Sequence, residues 1–469
     1  MRLCVIGGGL AGLTCAAAAR QLGMDVVLLE ASCFDRPRAG EHLAVEAVEL
    51  LETLGLPPEF YEQVTTPCSE ILSYWGSERV HVRDLMQQPS GLGLLLKRPA
   101  FDLLVADFVR DSGVRVVEGA RTTRLERLDD LWSVSFQKNG IERREVADFL
   151  VDASGRNSRN SPMLGTRKIK FDKLIALNVR IPVVSAQDTL WDGRIIVEPN
   201  ANGWVYAAGL PGAAGIVTVV MDGKHPHRAL ALSESFLGML SETKIAKELW
   251  SDVKKNMDNL SPCSCQSQVC SNLFGKGWLL VGDAAWSADP LSAQGMLKAI
   301  RDGLDAANTI NEFYQGNERA MESYQSRILG NFRSYLLDRA KYYRREQRWS
   351  GHAFWRRRYA AMLSEGEINL DPQQLLDFSS FDLNSILGQV GMVVPAIDCT
   401  LLANVLRKPA RAFEMVACYQ RQAESPVSDI DVVLALQAVQ HWITDTPSFE
   451  RKQAVSELTV VGRQGKERV

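Results

Sequence analysis

Apolar runs of strand length, punctuated by glycine and acidic residues, alternate with helix-length stretches along much of the chain. The segment Arg2 to Ile6 is short, apolar and β-compatible, and the alanine-rich stretch that follows it reaches Leu22 with the look of a buried helix. A second apolar run, Val26 to Leu29, ends at Glu30. Leu103 to Arg110 reads as a helix, Val114 to Val117 as a strand, and Val146 to Leu150 as another strand. From Leu174 to Val220 the pattern changes to short or alternating β segments: Ala176 to Ile181, Gly193 to Val197, Gly203 to Ala208 and Gly215 to Val220. Such strands suit a sheet that roofs a pocket. Residues 229 to 257 read as helical, and an apolar strand follows Gly277. Beyond about residue 330, glycine, proline and polar punctuation predict short helices.

The first turn carries chemistry. Gly7-Gly8-Gly9-Leu10-Ala11-Gly12 stands between the first strand and the first helix, the context a dinucleotide site requires. Gly7 permits the tight turn, Gly9 lets the backbone approach a pyrophosphate, and Gly12 lets the helix pack closely on the sheet. The amides of the helix start, at Leu10 and Ala11, then face phosphate charge. Glu30, 18 positions beyond Gly12, is placed to accept hydrogen bonds from an adenosine ribose. This complete unit points to FAD or NAD and leaves the two unresolved.

Composition narrows the class. A chain of 469 residues is too long for one simple core, so two or three structural regions are expected. A formal charge of −3 gives no reason to propose a nucleic-acid partner. No apolar run approaches the roughly 20 residues that cross a bilayer, and the start reads as a strand rather than a secretion leader. A cytoplasmic location is the expectation, with peripheral membrane contact left open. Nine cysteines, an odd count, argue against full intrachain pairing. Cys263, Cys265 and Cys270 lack the spacing and neighbouring histidine of a metal site, so no metal is expected.

Two further motifs select flavin. Asp152-Ala153-Ser154-Gly155-Arg156 follows an apolar strand. Gly282-Asp283-Ala284-Ala285 ends another, and Asp289-Pro290-Leu291-Ser292-Ala293-Gln294-Gly295-Met296 reads as a loop leading into a helix. Together they resemble the group-A flavin monooxygenases, a superfamily that includes aromatic hydroxylases, tryptophan halogenases and geranylgeranyl reductases. The resemblance covers roughly residues 1 to 330. It implies that Asp283 contacts the FAD ribityl chain and that the segment from Pro290 through Gly295 to Met296 lies beside the isoalloxazine ring. It also implies that Arg98, in Arg98-Pro99-Ala100-Phe101-Asp102, lies near the flavin; Arg38 completes the cofactor set. An ordinary surface ion pair is the other reading of Arg98.

Gly40-Glu41-His42-Leu43, taken with these motifs, looks more closely like flavoproteins that mature quinoprotein amine or amino-acid oxidases. That resemblance implies hydroxylation of a tryptophan side chain in a precursor polypeptide during formation of cysteine tryptophylquinone. Molecular oxygen and either NAD(P)H or an external flavin reductant are then expected. Glu41, His42 and Asp289 are the catalytic candidates. Each has a plainer reading: a packing or cap pair for the first two, and a loop cap for Asp289. Trp286 and Trp204 read either as cavity lining or as core. Residues 338–358 carry eight Lys/Arg and two Asp/Glu with interspersed aromatics, which reads as a partner contact or as a packed helix with a solvated basic face.

The chief alternative is a hydroxylase or halogenase of a free or carrier-bound aromatic. Halogenation is disfavoured, because residues 56–75 contain no lysine and Gly203-Trp204-Val205-Tyr206 keeps only the start of the halogenase pattern. A non-catalytic assembly chaperone or electron carrier is the remaining class. The expected fold is α/β: a Rossmann-like three-layer FAD-binding domain with an inserted antiparallel sheet for substrate and a helical carboxy-terminal region. The expected boundaries are 1–165, with an excursion to the substrate side at about 71–96, then 166–258, 259–330 and 331–469.

Overall fold

The computed structural model describes residues 1–36, 38–84, 93–157, 160–166, 168–182, 193–212, 214–223, 229–360, 375–378, 387, 397–423, 427, 432–433, 435–436 and 439–440. Residues 1–168 and 173–356 form one compact unit, and 169–172 with 357–469 form a second. The strands and helices that position the candidate site lie in the first.

Its central sheet has six strands in the order Phe274–Gly275, Trp278–Leu280, Phe149–Asp152, Arg2–Ile6, Asp25–Leu29 and Arg115–Val117. All neighbours run parallel except the Phe274–Gly275 edge. Both faces of Arg2–Ile6 are covered, which is why that run is apolar without alternation. Strand order reverses about Arg2–Ile6, so the crevice at the carboxyl ends of Ile6 and Asp152 is the natural ligand site. The helix Leu10–Gln21 packs on the helix Gly295–Tyr314. There Gly303 makes the approach possible: a Cβ on it would stand 2.1 Å from Thr14 Oγ1 and 2.5 Å from the Ala11 carbonyl oxygen.

A three-stranded antiparallel layer, Arg121–Leu128, Leu131–Lys138 and Ile141–Ala147, covers another side. The strand expected at Val146 to Leu150 is divided. Ile141–Ala147 belongs to this layer and Phe149–Asp152 to the central sheet. Asp148 stands between them, its carboxylate accepting the Arg2 amide at 2.5 Å, so the chain changes sheets at a polar residue that a hydropathy pattern reads through.

The inserted sheet has seven strands: Ser261–Ser264, Leu174–Pro182, Ala214–Asp222, Gly203–Leu210, Arg194–Asn200, Glu70–Ser73 and His81–Asp84. One face buries Leu177, Val179, Val205, Val217 and Val219 against Phe236, Met239 and Val253 of the following helices. On the opposite face Asn178, Thr218, Tyr206 and Val197 form one row across four strands. The helical stretch expected at 229–257 is broken, with Ala229–Ser241 followed by shorter helical pieces. Buried Glu198 causes the break by accepting the amides of Lys244, Ile245 and Ala246. The helix Ala320–Arg344 runs through residue 330 without interruption.

Candidate FAD and substrate site

All three glycine-containing motifs converge at the carboxyl edge of the central sheet. Gly7 has φ +109°, and a Cβ there would lie 2.4 Å from the Ala153 carbonyl oxygen. The Val281 amide donates to the Asp152 carbonyl at 3.0 Å, which brings Gly282 beside the same turn. Gly282 itself has φ +61° and would press a Cβ to within 2.6 Å of Ala11 Cβ.

These residues fit FAD. Gly9 caps the first helix without any side-chain hydrogen bond, so no cap side chain takes up the opening amides at Leu10, Ala11 and Gly12. A Cβ on Gly9 would meet only Arg38 Nη1 at 3.6 Å, room that suits a close-lying pyrophosphate. Glu30 is buried at the end of its strand, where Gly8 N donates to Oε2 at 2.5 Å and Ser32 N to Oε1 at 2.8 Å. Arg38 joins this acid to the Arg98–Asp102 segment: Nη2 lies 3.4 Å from Glu30 Oε1 and Nη1 lies 3.5 Å from Asp102 Oδ2. Asp102, quoted in the motif but absent from the candidate set, accepts two bonds from Arg98, at 3.1 and 3.2 Å. Arg98 also donates to the Ala39 and Gly40 carbonyls, at 2.9 and 2.7 Å. Arg98 is buried, so its pair is no surface ion pair, and it pins the loop that carries Glu41.

At the Gly282–Ala285 motif Asp283 meets Arg156 Nη2 and Lys298 Nζ, each at 3.3 Å. Burial pushes the Asp283 carboxyl up, but Lys298 and Arg156 outweigh it and hold the group below its ordinary range. Pro290 and Gly295 are exposed and Met296 is buried. Gly295 opens a 20-residue helix whose N-cap, Gln294, makes no side-chain cap bond. Its positive end is therefore available to the electron-rich edge of a reduced flavin.

Asp289 is buried and serves the loop. Its Oδ1 accepts the Leu291 amide at 2.9 Å and its Oδ2 accepts the Tyr343 hydroxyl at 2.7 Å, while Tyr343 accepts Trp204 Nε1 at 3.1 Å. Phenylalanine at position 343 removes a donor from one buried group and an acceptor from another. Tyr343→Phe is therefore expected to lower stability by about 1–3 kcal/mol, read from urea unfolding. Trp204 and Tyr343 pack with Trp75, and Trp75 and Tyr343 with Trp355, at centroid separations of 5.3–6.4 Å. Trp204 is thus core. So are Tyr343, Phe354 and Trp355 of the aromatic-rich segment at 338–358, which leaves Lys341, Arg344, Arg345 and Arg356 on its exposed side. Trp286 is likewise buried, with Phe332 and Tyr335 at 5.6 and 5.8 Å.

Glu41 sits where the cofactor side meets the inserted sheet. Its side chain is 5% exposed, Arg180 Nη2 approaches Oε1 at 3.4 Å, and its carbonyl accepts the Leu96 amide at 2.8 Å. Burial raises its pKa against the opposing pull of Arg180 and Arg98. Tyr206, from the polar row of the sheet, is within electrostatic reach of Glu41, and burial raises its phenol well above the ordinary value. Beside it Ile195, Ala208 and Ile216 form an apolar wall with Cys68 and Leu95. His42, one residue on, points elsewhere: both ring nitrogens are buried without a hydrogen-bond partner, and Nε2 lies 2.5 Å from where a Cβ on Gly93 would stand. Burial lowers its pKa, so it is neutral at pH 7.

All nine cysteines are free thiols, and among the described residues no group of three or more His, Cys, Asp or Glu is arranged for a metal. Cys270 donates to the Ala284 carbonyl at 3.2 Å, and burial pushes its thiol up to about 11. Among the described residues no helix is long and apolar enough to cross a membrane.

Residues 1–330 match the FAD binding domain family. The chain is 30% identical to the FAD-dependent oxidoreductase LodB of Marinomonas mediterranea over 365 residues, 76% of this chain and 96% of that one. It is 25% identical to a tryptophan 2-halogenase of Chondromyces crocatus over 80% of this chain and 74% of the other. Among solved structures, the peptidyl tryptophan dihydroxylase QhpG, essential for tryptophylquinone cofactor biogenesis, superposes with a TM-score of 0.65 at 22% identity, covering 95% of this chain and 98% of that one. The myxobacterial chondrochloren halogenase CndH superposes at 0.68 with 24% identity, covering 76% and 85%. With its glycine cradle, its two uncapped helix starts and this family match, the chain belongs to the FAD binding domain family and is an FAD-dependent oxidoreductase.

Proposed function

We propose that this flavoprotein hydroxylates a tryptophan side chain of a partner polypeptide, the precursor of a quinone-cofactor oxidase, during cysteine tryptophylquinone formation. The observation that carries the reading is length-matched similarity. The likeness to LodB covers nearly all of that protein, and the likeness to QhpG extends through both chains, well past residue 330. Bound FAD, once reduced by NAD(P)H or an external flavin reductant, supplies oxygen activation: one atom of O2 enters the indole ring and the other leaves as water.

The chain's own residues have separate tasks in this reading. Arg98 and Asp102 hold the 39–41 loop, so that Glu41 is presented at the apolar wall. The Glu41 carboxylate orders the indole N–H or takes the proton that the ring carbon loses as its new C–O bond forms. Tyr206 and the wall about Ile195 and Ala208 exclude water from the reacting ring. Asp289 keeps the Pro290–Gly295 loop in shape through Leu291 and Tyr343. His42, buried with neither ring nitrogen hydrogen-bonded, packs against Gly93 of the neighbouring strand and takes no proton in this reading. The free thiols fit the reducing cytoplasm as the site of action.

Intact-mass analysis of unmodified precursor polypeptides, with holoprotein, reductant and oxygen, tests the assignment. A gain of roughly 16 or 32 Da on one tryptophan, lost on omission of reductant or oxygen, is expected. Turnover of a free aromatic with no gain on any bound precursor would move the assignment to a small-molecule hydroxylase; binding without any oxidation would make the protein an assembly factor.

A further inference from the structure

Lys298 is a charged residue in an expensive place. Its side chain is 7% exposed, at the fourth residue of the helix that opens at Gly295. Withdrawing an ammonium from water costs several kcal/mol unless it is well paired. Here Nζ lies 3.3 Å from Asp302 Oδ2, 3.3 Å from Asp283 Oδ1 and 4.5 Å from the Trp286 ring centroid. The contact with Asp302 joins neighbours on one helix turn, and the ring faces the same charge. The contact with Asp283 instead leaves the helix for the turn that follows Gly282. Asp283 is the exposed member of the group, with 33% of its side chain open, against 4% for Asp302. Arg156 approaches its other oxygen at 3.3 Å, so two cations grip a carboxylate that still faces outward.

We propose that Lys298 is a positioning residue for FAD, fixing the Asp283 carboxylate at the cofactor turn and, with Arg156, cancelling the charge of Asp283 and Asp302 that would otherwise oppose reduced, anionic flavin. With the cluster neutral, the uncapped start of the same helix is left to favour the anion; without the Lys298 charge, a carboxylate is left uncompensated beside it. The role is independent of which substrate the flavin oxidises. It rests on Asp283 being a cofactor contact.

Three variants, Lys298→Met, Lys298→Arg and Asp283→Asn, test it through equilibrium FAD binding, the reduction potential of the bound flavin and thermal unfolding of the apoprotein. Lys298→Met keeps chain length and loses charge; it is expected to raise the FAD dissociation constant about tenfold or more, a change of about 1.4 kcal/mol. Its flavin potential is expected to fall by about 30 mV for each tenfold by which reduced FAD is weakened beyond oxidised FAD. Lys298→Arg restores charge and is expected to return affinity to within about threefold of the parent. A residue that merely props the helix predicts the opposite: Arg fails as Met does, apoprotein stability drops in both, and the potential stays put. Should Lys298→Met not fold, Lys298→Gln is read in its place. An unchanged potential and an affinity within about twofold of the parent in the uncharged variant, with Asp283→Asn weakened, overturns the proposal. FAD binding by Asp283→Asn at parent strength overturns instead the reading of Asp283 as a contact.

Discussion

Gly12→Ala is expected to yield protein that neither holds flavin nor keeps its stability. A Cβ at position 12 would lie 1.9 Å from the Gly7 carbonyl oxygen and 3.1 Å from Ala153 Cβ. The first obstacle is backbone, so relief requires the helix Leu10–Gln21 to lift off the strand that feeds it. Overpacking of this kind costs about 3 kcal/mol or more, and the movement also widens the phosphate cradle. Gly9→Ala provides the contrast, because its Cβ would meet only Arg38 Nη1 at 3.6 Å. It is expected to leave apoprotein unfolding unchanged while weakening FAD, since the added methyl stands where the pyrophosphate approaches. Flavin content after purification and thermal melts of the two apoproteins separate these effects. Equal loss of apoprotein stability in both variants would mean that Gly9, like Gly12, is a packing glycine with no part in phosphate binding.

Glu41→Gln is expected to cut precursor hydroxylation by about a hundredfold to ten-thousandfold with FAD binding intact. The substitution keeps shape and hydrogen-bonding length but removes the group that takes a proton. A base acts as carboxylate, which predominates above its pKa, and burial moves the Glu41 pKa up. The rate should therefore rise with pH through a limb displaced to higher pH than an ordinary carboxylate gives, and that limb should vanish in the variant. Single-turnover rates against pH, with flavin content measured in parallel, are the check. A rate within about threefold of the parent and an unaltered pH limb would remove Glu41 from proton transfer and leave it the task of holding Arg180.

Local order explains why the nucleotide half was legible. Strand, glycine turn, helix, strand and acid follow one another from Arg2 to Glu30, and each contact is made within a few residues or across adjacent strands. The alternating runs between Leu174 and Val220 likewise form strands where expected, because a half-buried sheet imposes its period on the sequence. The flavin family was legible because the Gly282-Asp283 turn and the loop to Gly295 lie close together along the chain, between the end of one strand and the start of one helix.

What the sequence could not determine was which distant residues share a charge or a ring face. Lys298 reads as one more surface cation on an amphipathic helix until the fold buries it between Asp283 and Asp302. Gly303 looks like a mild helix defect until Leu10–Gln21 crosses it. Trp204 and Asp289 were each open to two readings; Tyr343, 139 residues from the first and 54 from the second, bonds to both, a link that their chain spacing does not signal. Sequence by itself determined the cofactor-binding unit, since backbone geometry and period are written locally. Only the tertiary structure decided which carboxylates are paired and which aromatics are core, because burial and electrostatic pairing depend on distances in space that no chain spacing encodes.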